Sequence, residues 1–149
     1  MKIFLVVGEA SGDRLGASLM RGIKKLNKKA KFSGIAGPEM EQNGIQSLFA
    51  MSELSVMGIT EILSKYFKLR RRLFQTVEAV LEYKPDILIT IDSPEFSFRV
   101  AKKVRAINSS IRTVHYVAPT VWAWRPKRAK KWLISLITCW HYFHLSHHI

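Results

Sequence analysis

Short apolar runs along the chain predict five β-strands. Unbroken runs rich in branched residues predict buried strands at Lys2–Val7 and Ile87–Ile91, and shorter runs predict strands at residues 32–35, 45–49 and 113–117. Runs without polar alternation are typical of strands that are covered on both faces, as in a parallel sheet.

Helical spacing fills the segments between the strands. Four helices are predicted: one from the spacing of Leu15, Leu19, Ile23 and Leu26, one over residues 59–81, one from Pro94 to about Ile107, and one from about Pro126. In the third helix, Ser93 is the predicted N-cap and Glu95 complements the helix dipole. Strands that alternate with helices predict the α/β fold class, with an open parallel sheet built from right-handed βαβ units.

Composition narrows the possible functions. The 149 residues are 48% apolar and 23% charged, which is typical of one globular domain and too short for an enzyme with a cleft between two domains. A formal charge of +13 favours an anionic partner, which is a nucleic acid, a phosphorylated ligand or an anionic membrane. Cys139 is the single cysteine and excludes an internal disulfide. No apolar run reaches the roughly 20 residues of a membrane span, so any membrane contact is expected to be peripheral.

Three loops are expected at the carboxyl ends of the strands, where open parallel sheets bind ligands. The first contains Glu9, Ser11, Gly12 and Asp13, and its small residues let a ligand approach the backbone at a helix N-terminus. Its glycines form neither a dinucleotide fingerprint nor a P-loop, so no nucleotide cofactor is predicted. A turn that needs glycine for packing alone explains the same residues.

The other two loops carry titratable and aromatic side chains. In the second loop, partial desolvation and a like-charged neighbour would raise the proton affinity of Asp92, as a general base requires; a loop-capping aspartate is the alternative. The third loop contains His115, Trp122, Trp124 and Arg125, which suit stacking on a sugar and pairing with a phosphate. Tryptophans that are half-buried for structural reasons explain this loop equally well.

The helix predicted over residues 59–81 carries an aromatic and basic face beside its core stripe. The apolar members of this face are Leu63, Phe67 and Phe74, and the basic ones are Lys65, Lys68, Arg70, Arg71 and Arg72. Such a face suits the surface of an anionic membrane, and a wide core stripe with a solvated basic side is the alternative. The terminal His141, His144, His147 and His148 lack the acid of a zinc-binding H-E-x-x-H motif, so no metal site is predicted.

Six sequence blocks in order closely resemble the lipid-A-disaccharide synthase family. They are residues 4–13 (FLVVGEASGD), 34–40 (GIAGPEM), 53–58 (ELSVMG), 84–86 (KPD), 91–96 (IDSPEF) and 115–125 (HYVAPTVWAWR). The resemblance covers residues 1–131 and implies the Rossmann-like N-terminal domain of an inverting GT-B glycosyltransferase. It also implies the reaction, in which UDP-diacylglucosamine and diacylglucosamine 1-phosphate give lipid A disaccharide and UDP.

The family pattern assigns roles to individual residues. The resemblance implies that Asp92 is the base that removes the proton of the acceptor's 6-hydroxyl group. Substrate-binding residues implied in the same way are Glu9, Ser11, Gly12, Asp13, His115, Trp122, Trp124 and Arg125. Residues implied to face the membrane are Met57, Leu63, Phe67, Arg70, Arg71, Arg72 and Phe74.

The resemblance also sets expectations for location and partners. It implies a cytoplasmic protein that lies peripherally on the inner membrane, with no cofactor and no need to bind nucleic acid, because its substrates carry phosphates among anionic lipids. Residues 132–149 do not resemble the family's continuation, and we expect them to be a divergent tail, translated out of frame or belonging to a split gene. The chain is therefore expected to be a truncated enzyme. The alternative is a non-catalytic fragment or lipid-phosphate binding module that needs a separately encoded C-terminal half.

Overall fold

A computed structural model describes residues 1–54 and 62–116, with the side chains of the long helix described from Tyr66 onward. In chain order the elements are β1 (Lys2–Val7), α1 (Ala10–Leu26), β2 (Lys31–Ile35), α2 (Pro38–Glu41), a 3-10 turn (Met51–Leu54), α3 (Ile62–Tyr83), β3 (Ile87–Ile91), α4 (Pro94–Ile107) and β4 (Arg112–Tyr116). The alternation of strands and helices that the sequence predicts is confirmed.

The four strands form one parallel sheet in the order β2-β1-β3-β4. The chain leaves β1 toward one side to form β2 and returns to the other side to form β3, so the direction of winding reverses between β1 and β3. Val7 pairs with Ile91 at the carboxyl ends of these two strands. The loops that follow them therefore leave the sheet side by side, at the position where open α/β sheets bind ligands.

Side chains of β1 alternate between two apolar cores, one on each face of the sheet. Phe4 and Val6 pack in the cluster that contains buried residues of α3 and α4. Ile3, Leu5 and Val7 pack in the cluster that contains buried residues of α1 and α2. Because β1 is covered on both faces, its apolar run correctly predicts a central strand of a parallel sheet.

The leucine and isoleucine spacing that predicts α1 marks its buried face only in part, because Leu19 and Ile23 pack against the core whereas the other two residues do not. Leu15 is 39% exposed and Leu26 is 92% exposed. The buried residues of the helix are Gly12, Asp13, Gly16, Ala17 and Met20. A Cβ on Gly16 would lie 2.4 Å from the sulfur of Met40, so α1 packs closely against α2 through small residues.

The strand predicted at residues 45–49 is wrong. This segment makes a single bridge, between Ser47 and Gly34, and no ladder with β2. The Ser47 hydroxyl accepts a hydrogen bond from the Ala36 amide at 3.0 Å, so a side chain replaces part of the backbone pairing. Ile45 and Phe49 are buried, which explains the apolar pattern without a strand. The helix predicted near Pro126 lies outside the described residues.

Candidate active site

Asp92 follows β3 directly and caps the turn that follows β1. The amide of Gly8 donates to Oδ1 of Asp92 at 2.8 Å, and the amide of Glu9 donates to Oδ2 at 3.2 Å. The Ser93 hydroxyl also hydrogen-bonds the carboxylate. A carboxylate accepts about four hydrogen bonds, so a lone pair remains for the proton of a ligand. The residue is half-buried and open to solvent on one side.

The surroundings of Asp92 make it a weak acid. The pKa of Asp92 is raised from 3.8 to about 6: burial is the largest cause of the rise and the negative charge of Glu9 adds to it, while the hydrogen bonds from the Gly8 and Glu9 amides and the Ser93 hydroxyl oppose it. A base whose pKa lies near the working pH combines a large deprotonated fraction with useful proton affinity. The carboxylate thus has the backbone contacts of a loop-capping aspartate and also the raised proton affinity that a general base requires.

Glycines let the first loop reach this carboxylate. A Cβ on Gly12 would lie 1.7 Å from Oδ2 of Asp92, and a Cβ on Gly8 would lie 2.0 Å from the hydroxyl oxygen of Ser93. These two glycines therefore have a defined task, which is to make room for Asp92 and Ser93 above the first turn of α1.

Ser93 occupies the N-cap position of α4 but does not act as the predicted side-chain cap. Its backbone is left-handed, with φ of 38°, and its side chain makes no hydrogen bond to the helix. The hydroxyl bonds Asp92 instead, and the Ser93 carbonyl accepts hydrogen bonds from the amides of Phe96 and Ser97. The prediction that Pro94 and Glu95 occupy the first turn of α4 is confirmed.

Asp13 lies apart from the other residues predicted in the first loop. It is 3% exposed, and its carboxylate accepts hydrogen bonds from the amides of Gly37, Glu39 and Met40 at 3.0, 2.9 and 3.1 Å. These contacts tie α1 to the start of α2. These three hydrogen bonds give the Asp13 carboxylate a structural role, and its role in substrate binding stays a prediction. Glu9 and Ser11 are exposed at the rim.

His115 lies on β4 opposite Thr90 of β3. Its Nδ1 is 2.8 Å from the Thr90 hydroxyl, and its ring packs against Phe98 with centroids 4.8 Å apart. Burial lowers the pKa of His115, so the imidazole is neutral at pH 7. The structure places it one residue before the end of β4, beside the site. The other residues of that predicted wall, Trp122, Trp124 and Arg125, lie outside the described residues.

A groove of about 1370 Å³ runs from the rim of the sheet along α3 and α4. Glu9, Ser11 and Ser93 line its end next to Asp92, and Leu69, Leu73 and Phe74 line its wall on α3. The cations that line it are Arg70, Arg99, Lys102 and Lys103. Lys103 and Arg70 lie 4.7 and 5.9 Å from the ring centre of Phe74. The α4 cations were missed by sequence analysis, although their spacing places them on one helical face.

The outer face of α3 carries part of the predicted membrane surface. Phe67 is 66% exposed, Phe74 is 42% exposed, and Arg70 and Arg71 are exposed beside them. The side chains of Met57 and Leu63 lie outside the described residues. Among the helices that the structure describes, none is long and apolar enough to span a bilayer.

Arg72 is less exposed than the two arginines that precede it. Its Nε and Nη2 donate to the two carboxylate oxygens of Glu53 at 2.9 and 2.7 Å, and its Nη1 donates to Gln75 at 2.6 Å. The guanidinium also lies 4.5 Å from the ring centre of Phe49. Arg72 therefore joins α3 to the 3-10 turn through a partly exposed side chain, and its place on a membrane-facing surface stays a prediction.

Comparison with known proteins shows which protein family this chain matches. A family model described as lipid-A-disaccharide synthetase matches residues 3–137. The lipid-A-disaccharide synthase of Ruegeria pomeroyi is 56% identical over 131 residues, which are 88% of this chain and 32% of that protein. The enzyme of Granulibacter bethesdensis is 50% identical over 129 residues, which are 87% of this chain and 32% of that protein. The chain thus spans about a third of the length of these relatives.

One solved structure supports the fold. The UDP-GlcNAc 2-epimerase of Neisseria meningitidis, crystallised with UDP-GlcNAc, superposes with a TM-score of 0.57 and 17% sequence identity. The match covers 91% of this chain and 38% of the epimerase chain. At this level of identity the likeness concerns the fold alone. It agrees with the Rossmann-like domain of GT-B architecture that the sequence predicts.

Proposed function

Because the chain belongs to the lipid-A-disaccharide synthetase family, we propose that it forms the acceptor-side domain of a glycosyltransferase. The proposed reaction joins UDP-diacylglucosamine to diacylglucosamine 1-phosphate and releases UDP. The observation that carries this proposal is the half-buried carboxylate of Asp92, with its raised pKa, at the point where the sheet reverses its winding.

In the proposed step Asp92 acts as the general base. A carboxylate oxygen takes the proton of the acceptor's 6-hydroxyl group while that hydroxyl oxygen attacks the anomeric carbon of the donor sugar. The bond between the anomeric carbon and the UDP oxygen breaks, and UDP leaves with the bonding electrons. The amides of Gly8 and Glu9 hold the carboxylate in place throughout, so it does not need to be reoriented during the reaction.

Substrate-binding roles are proposed for residues that surround this carboxylate. Glu9 and Ser11 line the rim of the groove, and Gly12 leaves space for the carboxylate. His115 on the neighbouring strand would present a neutral ring to the sugar. Trp122, Trp124 and Arg125 remain proposed residues of the same wall on the basis of the family motif. No cofactor is part of the proposal.

The groove between α3 and α4 supports a ligand that is both apolar and anionic. Its α3 wall is aliphatic and aromatic, and its cations lie along the same path. Acyl chains would contact the apolar wall, and phosphate groups would pair with Arg and Lys side chains. The proposal includes no nucleic acid, because positive charge is the one feature that favours it and the proposed acylated phosphates already supply an anionic partner.

We propose further that the exposed face of α3 rests on the cytoplasmic side of the inner membrane. Phe67 would enter the interfacial zone, and Arg70 and Arg71 would pair with anionic lipids at about 1 kcal/mol for each cation. A peripheral position suits both proposed substrates, because each carries acyl chains that hold it in the bilayer.

A lipid-phosphate binding module without catalysis is the second candidate. The groove favours it, because binding an acylated phosphate requires only the residues of this chain. Catalysis would in addition require residues that hold the UDP-sugar, and the relatives are about three times as long as the matched segment. A separately encoded C-terminal half would convert the binding module into the enzyme.

The test uses a hybrid enzyme in which residues 1–131 replace the matched segment of the Ruegeria pomeroyi relative. The hybrid and the chain alone are incubated with both acylated substrates, and the disaccharide and UDP are measured. We expect product from the hybrid and none from the chain alone. Binding of diacylglucosamine 1-phosphate without product in the hybrid would favour the binding module, and absence of both would contradict the proposed function.

A further inference from the structure

Two consecutive residues at the end of β3 have left-handed backbone conformations. Asp92 has φ of 56° and Ser93 has φ of 38°. Left-handed backbone is unfavourable for residues with a Cβ atom, and such residues persist only where their surroundings hold them. This turn directs the Asp92 side chain back toward the loop after β1, where the two amides receive it.

Ser97 contacts the carbonyl groups of both left-handed residues. Its hydroxyl donates to the Asp92 carbonyl at 2.9 Å, and its amide donates to the Ser93 carbonyl at 3.0 Å. A serine within a helix usually returns its hydroxyl to the carbonyl four residues earlier. That carbonyl belongs to Ser93 and already accepts two amides, so the hydroxyl reaches one residue further back, to Asp92.

Burial makes this hydrogen bond difficult to replace. Ser97 has 0% exposure, so water cannot substitute for its hydroxyl without rearrangement. An alanine at this position would leave the Asp92 carbonyl without the donor that opposes its unfavourable backbone conformation. The consequence would reach the carboxylate, because the backbone of Asp92 determines whether its oxygens meet the amides of Gly8 and Glu9.

We propose that Ser97 is a positioning residue for Asp92. Its buried hydroxyl fixes the left-handed turn and thereby places the Asp92 carboxylate on the loop that follows β1. The placement of the carboxylate is independent of what Asp92 does chemically. Only the effect of Ser97 on turnover rests on the proposed function.

Carboxyl carbon NMR tests the placement directly. The chain has three aspartates, Asp13, Asp86 and Asp92, so aspartate labelling gives three carboxyl signals. In Ser97→Ala we expect the pKa of Asp92 to fall toward its ordinary 3.8, because a carboxylate that leaves the turn also leaves the burial that is the largest cause of its raised pKa. The Gly8 and Glu9 amide shifts should stop following that titration. The signals of the other two aspartates should stay as in the unchanged chain.

Thr76→Val is the matched control. The Thr76 hydroxyl is also fully buried and donates to a helix carbonyl, that of Arg72, at 2.7 Å in α3. Its loss should lower stability without moving the Asp92 titration. An unchanged Asp92 titration in Ser97→Ala, or the same change in Thr76→Val, would overturn the proposal. If the alanine variant does not fold, Ser97→Cys replaces it, because cysteine has a similar size and a weaker hydrogen-bond donor. Ser97→Cys should also change the Asp92 titration, and Thr76→Val should again leave it unchanged.

A second comparison tests the backbone conformation. Because Ser93→Gly also removes the hydroxyl that hydrogen-bonds the Asp92 carboxylate, the effect of Ser97→Ala is measured within each background. Glycine adopts the left-handed region without steric cost, so Ser93→Gly should reduce the need for the Ser97 hydroxyl. The shift caused by Ser97→Ala is therefore expected to be smaller in the Ser93→Gly background than in the unchanged chain. An equal shift in both backgrounds would contradict a role in holding the left-handed turn.

Turnover by the hybrid enzyme separates this proposal from the proposed function. In the hybrid, Ser97→Ala is expected to lower kcat/KM by about tenfold to a hundredfold, mostly through kcat, as misplacement of a catalytic group does. The acidic limb of its pH profile should move with the Asp92 pKa. If NMR shows the displaced carboxylate and turnover is unchanged, Ser97 positions Asp92 and the proposed base is wrong.

Discussion

Oδ2 of Asp92 rests against the backbone of Gly12, so closely that a methyl group on Gly12 would lie 1.7 Å from that oxygen. The first turn of α1 thus supports a carboxylate that comes from the end of β3. Any side chain at this position must displace Asp92 or push α1 away from the sheet. This close approach explains why a glycine occupies position 12, in the first turn of α1.

The variant Gly12→Ala should therefore separate activity from stability. Alanine favours a helix over glycine by about 1 kcal/mol, which partly offsets the steric cost. The carboxylate should leave the Glu9 amide, and the hybrid enzyme should lose about a hundredfold in kcat/KM. Gly22→Ala is the matched control in the same helix, because nothing lies within 4 Å of its added Cβ. It should stabilise the chain slightly and leave turnover unchanged; comparable losses in both variants would contradict the account.

The raised pKa of Asp92 also predicts how stability depends on pH. A group whose pKa rises from 3.8 to about 6 on folding binds its proton more tightly in the folded state. Its contribution to stability is present below 3.8, falls as the pH rises toward about 6, and stays low above that. Relative to Asp92→Asn, the unchanged chain should lose about 1 kcal/mol across this window, a value reduced by solvent screening of a half-exposed carboxylate. Urea unfolding at several pH values measures it, and a pH-independent difference would count against the raised pKa.

The contact between Arg72 and Glu53 predicts that a substitution of Arg72 that keeps its positive charge will still lower the stability of the chain. Arg72→Lys keeps the positive charge but removes the planar pair of hydrogen bonds and the contact with Phe49, so the free energy of unfolding should fall by about 1 kcal/mol. Arg71→Lys, on the exposed face, is the control and should change it little. The Arg72 hydrogen bond lowers the pKa of Glu53, so its stabilisation is present above pH 4.5 and lost as the pH falls through the lowered value. Equal effects of both substitutions would show that Arg72 is no more than a surface charge.

The proposed membrane face predicts a specific effect on vesicle binding. Phe67→Ala should lower partitioning onto anionic phospholipid vesicles by about tenfold, since an aromatic side chain leaves the interface. Leu26→Ala removes an even more exposed apolar side chain, 92% against 66%, from the end of α1, and it should change partitioning by less than about twofold. High salt should weaken binding of both proteins because it screens the cations. Equal losses of vesicle binding in Phe67→Ala and Leu26→Ala would show that the membrane contact is not specific to the exposed face of α3.

Much of the fold was predictable because β1 from Ile3 onward and β3 are continuous runs of apolar or β-branched residues, with Thr90 the polar member of β3. Such runs mark strands covered on both faces of a parallel sheet. The loops after β1 and β3 were therefore predicted at the carboxyl ends of their strands, but only the observed strand order and the register of Val7 with Ile91 make them neighbours. The hydrogen bonds from the Gly8 and Glu9 amides were not predictable either, because they depend on left-handed backbone at Asp92 and Ser93 that no sequence pattern encodes.

The contacts of other residues could not be predicted, because they depend on tertiary structure and not on local pattern. Arg72 lies in a basic run, yet its partner Glu53 comes from a turn that helical periodicity cannot place beside α3. Asp13 belongs to the same predicted loop as Ser11, yet the amides that bind it come from Gly37 and from α2, a four-residue helix without periodicity. Ile45 and Phe49 are buried although their segment makes only a single bridge with β2, and burial alone gives these residues a strand-like pattern.

The most direct test of the central claim is the pH profile of kcat/KM for the hybrid enzyme with and without Asp92→Asn. The unchanged hybrid should show an acidic limb near pH 6, where the base loses its proton, with activity rising toward neutral pH. The Asp92→Asn hybrid should lose about a hundredfold to ten-thousandfold in kcat/KM and no longer show that limb. Activity within a few-fold of the unchanged hybrid, with the limb still near pH 6, would contradict the assignment of Asp92 as the base.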